Sequence, residues 1–157
     1  MPALIFDSTA LIYLAKTSFL QLVGQLGGEK FMPPTVHMEV VTRGKEIGTS
    51  DALVIERLAA ESVIGVREVD DAKFLHTIQR NPKLHKADAE VIVLAKDLDG
   101  IAILDEEVAR SVVDVYEVEN RGTVYILFRL LKANLISRDG ARDAIDEMIR
   151  AGWRCST

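Results

Sequence analysis

The chain has 157 residues, 48% of them hydrophobic and 27% charged, enough apolar material to bury a substantial core without disulfide help. A formal net charge of -5 excludes a protein coated in basic surface, so any nucleic-acid contact has to be local. The single cysteine, Cys155, excludes an internal disulfide and a cysteine-based zinc site within one chain, and it reads as an incidental thiol.

In chain order, short beta-rich runs alternate with longer stretches of helical period, the pattern of an α/β layer fold with a parallel sheet. A strand is predicted at Ala3–Phe6, followed by helices over "STALIYLAK" and "SFLQLVGQLG". A short strand at Lys30–Met32 leads into helices "PTVHMEVVTRG" and "SDALVIERLAA", then a strand at Val63–Val69. Helix "KADAEVIVLAKDLDG", strand Ile101–Leu104, helix "EEVARSVV" and a strand at Val115–Val118 follow. The last third reads as two helices with Thr123 and Ser137 as N-caps and Asn134 at the break. No linker or repeat divides the chain, so one domain over 1–157 is expected. Apolar runs such as Val91–Ala95 are too short to cross a bilayer, and no basic stretch with an apolar signal core opens the chain. The expectation is a cytoplasmic protein without a membrane partner.

The carboxylates carry the chemistry. "LIFDST" and "AILDEE" each place an aspartate, Asp7 or Asp105, at the carboxyl end of an apolar strand, where open parallel sheets put their ligand crevice. Aspartate at that junction is also a good helix N-cap. Glu39 lies in the helix "PTVHMEVV", where a solvated face is the plain alternative, and Asp88 sits in a first helical turn, where it complements the dipole.

This layout resembles the PIN-domain ribonucleases, a family that includes toxins of prokaryotic toxin–antitoxin pairs. "IFDSTALIYLAK", "PPTVHMEVV", "KADAEVIVLA" and "AILDEEVAR" look like its four acid-bearing segments in order, and "GTVYILFRLLKANLI" is similar to the glycine-threonine helix of one subgroup. The resemblance implies a PIN-like three-layer α/β/α fold whose five-stranded parallel sheet has the order 3-2-1-4-5. It implies Asp7, Glu39, Asp88 and Asp105 as catalytic acids binding Mg²⁺ or Mn²⁺, RNA as substrate, a homodimer, and an antitoxin protein as partner. Glu106, directly after Asp105, is a further candidate ligand, because the family often carries a second acid there. The subgroup commonly has glycine-glutamate where this chain has Ala87-Asp88, and Glu90 follows. Asp88 and Glu90 stand about 200° apart around a helix, so at most one of the two is expected to face the metal, with Asp88 favoured. Ser8 and Thr123 are expected near phosphate or metal-bound water, while Arg110 and Arg43, with Lys45, are candidates to meet backbone phosphates.

The chemistry is consistent with a metal. Two carboxylates about 5 Å apart repel by roughly 3 kcal/mol at an effective dielectric near 20, so a cluster of them must protonate or hold a cation. Oxygen ligands select a hard ion; His37, His76 and His85 are scattered without ligand spacing. With only 6% aromatic residues, a base-stacking platform is not expected. A binding module of the same fold with an incomplete acid cluster is the rival reading. A phosphoacceptor domain would need an acid pair near its start and a lysine ending its last strand, but Asp7 is the only acid before Glu29 and "VYEVENRG" has no lysine. A haloacid-type phosphatase would need aspartate where Thr9 stands.

Overall fold

The computed structural model describes residues 1–154; Cys155 lies outside them. Strand β1 (Leu4–Phe6) is the hub, and its three side chains are wholly buried. It pairs in parallel with β2 (Lys30–Met32) through Leu4 opposite Lys30, and with β4 (Ile101–Ile103) through Leu4 opposite Ile101. Outer strands β3 (Gly65–Val66) and β5 (Asn120–Arg121) complete a five-stranded parallel sheet in the order β3-β2-β1-β4-β5, the expected 3-2-1-4-5.

From β1 the chain steps outward to β2 and β3, then returns to the other side of β1 for β4 and β5. Right-handed crossovers in these two opposite directions put their connecting helices on opposite faces of the sheet. The first set contains α1 (Ser8–Ala15), a 3₁₀ turn (Leu20–Gln25), and α2 (Pro34–His37) running through a π-helical stretch (Met38–Arg43) into α3 (Gly44–Glu46), then α4 (Ser50–Ala60). The second contains α5 (Ala72–Ile78), α6 (Lys86–Asp97) and α7 (Glu107–Val115). Helix α6 packs on β1 and β4, and every residue from Ala87 to Ala95 is buried. Helices α8 (Thr123–Lys132) and α9 (Arg138–Arg150) close the chain, with α8 against α1.

Three predicted elements need correction. Val115–Val118 is not a strand: Val115 ends α7, Glu117 turns left-handed at φ +57°, and Val118 N–H donates to the Val113 carbonyl at 2.9 Å. That 6→1 bond belongs to a Schellman closure, so these amides are spent on the helix end and the ladder starts at Asn120. "SFLQLVGQLG" yields a 3₁₀ turn instead of an α-helix, and α5, capped by the Asp71 carboxylate on the Phe74 amide, lies where no element was predicted. Strand β3 is only the middle of the predicted Val63–Val69 run, because pairing with Phe31 and Met32 is confined to Gly65 and Val66. Ser137 caps α9 as expected, accepting from the Gly140 amide, and Asn134 takes φ +60° at the break. Thr123 starts α8, one residue inside the Gly122 cap. No helix among the described residues is long and apolar enough to cross a membrane.

Candidate metal centre

The sheet ends where the acids begin. Asp7 still belongs to the ladder through its own N–H, which donates to the Ile103 carbonyl at 3.2 Å, but its extended φ/ψ then hands the chain to α1. Its Oδ1 accepts from the Ala10 amide at 2.8 Å. The residue is therefore a true N-cap, and it is also only 2% exposed. Burial pushes its carboxyl well above the usual range; the Ala10 hydrogen bond opposes this, and the charges of Asp88, Asp105 and Glu106 push the same way as burial. Cap and cluster member are one residue, so the two alternatives left open by the sequence do not exclude each other.

Asp105 follows β4, the strand paired directly with β1. Its Oδ1 accepts from the Thr123 amide at 2.8 Å, and its Oδ2 accepts from the Thr123 hydroxyl and, at 3.0 Å, from the Trp153 indole N–H. Gly122 permits this: a Cβ there would meet Asp105 Oδ1 at 2.8 Å, too close for any side chain. The glycine-threonine pair thus lets a carboxylate nest against the start of α8, where free amides favour negative charge.

Asp88 enters from the first turn of α6, buried, with its carboxyl raised to about 7. Burial is the largest cause, followed by hydrogen bonding to Glu106 and the charges of Glu106 and Glu39. Glu39, in the first turn of the π-helical stretch, accepts from the Ser8 hydroxyl at 2.6 Å. Such a widened helical turn is a frequent companion of functional sites. Glu106 stands at the N-cap position of α7 without a capping hydrogen bond from its side chain, exposed, with the His85 Nε2 at 3.9 Å.

These placements join Asp7, Asp88, Asp105, Glu106 and Glu39 into one electrostatically coupled group, with Ser8 and Thr123 as hydroxyl donors. Glu90 is not part of it. Its carboxylate accepts from the Thr35 hydroxyl at 2.6 Å, which ties α6 to α2, whereas Asp88 lies against Glu106. Arg110 Nε donates to Asn120 at 3.3 Å, Arg43 is exposed, and Lys45 pairs with Glu56 at 2.8 Å. His37 and His76 belong to α2 and α5.

The donors suit a hard divalent cation, since all are carboxylate or hydroxyl oxygens and the raised proton affinities of Asp7 and Asp88 mark negative charge that a cation would neutralise. Among the described residues, however, no three His, Cys, Asp or Glu side chains stand in preassembled ligand geometry. Asp7, Asp105 and Glu39 are instead each anchored by a donor of their own, while Asp88 lies against the carboxylate of Glu106. Sequence reasoning missed Trp153, which reaches Asp105 across 48 positions, and the approach of His85 to Glu106. It also missed a cleft of about 260 Å³ beside Asp105, walled by Thr9, Tyr13, Glu106, Gly152, Trp153 and Arg154. The glycine after α9 signalled a helix end, but nothing local revealed which way the tryptophan turns.

A parallel sheet in this order, with acids at the ends of its two central neighbours and a third acid from the helix behind them, defines a PIN-like fold. The chain belongs to the PIN-domain family DUF3368, which it matches over residues 3–157. PIN domains are generally nucleases and typically use divalent metals. No curated protein sequence matches the chain.

Proposed function

We propose that the chain is a metal-dependent endoribonuclease that hydrolyses phosphodiester bonds of single-stranded RNA with Mg²⁺ or Mn²⁺. The observation that carries this reading is the pair Asp7 and Asp105 at the ends of adjacent strands β1 and β4, with Asp88 and Glu106 close enough for their charges, like that of Asp105, to act on Asp7. Asp7, Asp88 and Asp105 would hold the cation, with Glu106 and Glu39 beside them. When bound, the cation polarises the phosphate and lowers the pKa of an attacking water. The chain's own residues do the rest. Thr123 fixes Asp105 from the start of α8, Ser8 fixes Glu39, and Arg110 and Arg43 offer cationic contacts to neighbouring phosphates. A toxin role, an antitoxin and a homodimer extend the reading by family resemblance, and its assignment to one cytoplasmic domain rests on the sequence pattern.

The test is cleavage of a labelled single-stranded RNA in Mn²⁺, in Mg²⁺ and in excess chelator. Cleavage in either metal that disappears in chelator is expected; equal cleavage in chelator, with trace metal excluded, overturns the proposal. A second reading, a PIN module that binds RNA or a protein without cutting, is favoured by the lack of preassembled ligand geometry among the described residues. It predicts RNA retention with no cleavage and no stabilisation by Mn²⁺.

A further inference from the structure

The end of α9 is built to deliver one side chain. Gly152 N–H donates to the Ile149 carbonyl and Trp153 N–H to the Met148 carbonyl, at 3.0 and 2.9 Å, the two bonds of a Schellman motif. The motif requires Gly152 at φ +109°, a conformation that side-chain-bearing residues rarely adopt. The reversal leaves Arg154 exposed and swings Trp153 inward until it is 5% exposed, with its indole N–H on Asp105 Oδ2 at 3.0 Å. A carboxylate has about four acceptor positions. Three donors reach Asp105, two from Thr123 and one from Trp153. Both oxygens are thereby held, and the carboxylate cannot rotate without losing a partly buried hydrogen bond.

We propose that Trp153 is a positioning residue of the metal centre: its indole N–H orients the Asp105 carboxylate for the cation, which makes the turn after α9 part of the site. This rests on the metal-dependent reading above. Partners that orient a ligating carboxylate typically contribute 10–100-fold to metal affinity. Trp153 is also the only tryptophan in the chain, so tryptophan fluorescence reports on the surroundings of this one side chain.

The test compares the full-length wild type with Trp153→Phe, which keeps a buried aromatic ring and removes the donor. Thermal melts across a Mn²⁺ titration should show the half-stabilising concentration rising about tenfold in the variant. A purely structural tryptophan would instead lower the melting temperature in chelator and leave the Mn²⁺ midpoint unchanged, and that result overturns the proposal. A second measurement does not depend on how the variant folds: in wild type, Mg²⁺ should change the tryptophan emission saturably, with the midpoint of its thermal stabilisation. Stabilisation by Mg²⁺ with unaltered emission also overturns it. A wild type that neither gains stability from Mn²⁺ nor cleaves RNA removes the nuclease reading and this inference together, whereas metal binding with an indifferent Trp153 removes only the inference.

Discussion

Asp88→Asn separates the electrostatic cost of the acid cluster from its packing. In the folded protein the Asp88 carboxyl is raised from 3.8 to about 7, so the native state holds a proton that the unfolded chain releases. Below pH 3.8 both states are protonated and the residue costs nothing. As pH rises through the window up to about 7, the unfolded carboxyl ionises first, and stability is lost until both states are charged. Each tenfold step in proton affinity is worth about 1.4 kcal/mol, so the loss levels off near a ceiling of about 4 kcal/mol above neutral pH. Asparagine mimics the protonated form, because its amide N–H can donate to Glu106 as the carboxyl proton does, and it has no proton to lose. Urea melts in chelator from pH 5 to 8.5 should therefore show the variant more stable, by roughly 1.5 kcal/mol at pH 5 and up to about 4 kcal/mol at pH 8. Asp7, whose carboxyl is raised first by burial, is present in both proteins, so that part of its pH dependence cancels in the difference, while the part due to the Asp88 charge is lost in the variant and adds to the same sign. In Mn²⁺ the order should narrow or reverse, since the cation neutralises the wild-type carboxylate and the variant has less charge to offer it. A stability difference that is constant with pH would refute the argument, because burial without a perturbed titration has no such slope.

Asp7→Asn should keep the α1 cap, since asparagine oxygen accepts from the Ala10 amide as aspartate does, and raise the melting temperature in chelator while abolishing cleavage; a nuclease assay and paired melts check both. Glu90→Gln should leave the Mn²⁺ midpoint and cleavage unchanged and shift stability by about 1 kcal/mol or less, because its partner is Thr35; a tenfold loss of metal affinity would return Glu90 to the site. Gly122→Ala should displace Asp105, as the new Cβ would lie 2.8 Å from its Oδ1, and weaken metal stabilisation more than it lowers the melting temperature in chelator.

What the sequence could disclose depended on how local the cause was. Asp7 and Asp105 were readable because an apolar strand ending in an acid is a contiguous pattern, and the alternation of strands and helices sets which strands those acids terminate. Ser137 and Asn134 were readable for the same reason, as a cap and a left-handed break act on their immediate neighbours. The Val115–Val118 error shows the converse. Its valines satisfy a strand, but Val113 is buried from the helix side and the Schellman bond takes the Val118 amide, a competition settled by tertiary packing.

The choice between Asp88 and Glu90 shows how far periodicity reaches. A spacing of two residues on a helix puts the acids on nearly opposite faces, which establishes that one faces away from the crevice but does not say which. The decision comes from Thr35 on α2, 55 positions away, whose hydroxyl supplies the partner that lets Glu90 be buried on its own face. Asp88 faces Glu106 instead, another acid, and a buried carboxyl opposite a like charge has to hold a proton or share a cation. Both side chains are buried acids on one helix, yet one has a neutral hydroxyl for a partner and the other a negative charge. That difference, absent from the helix's own sequence, separates a tie between two helices from a member of the candidate metal centre.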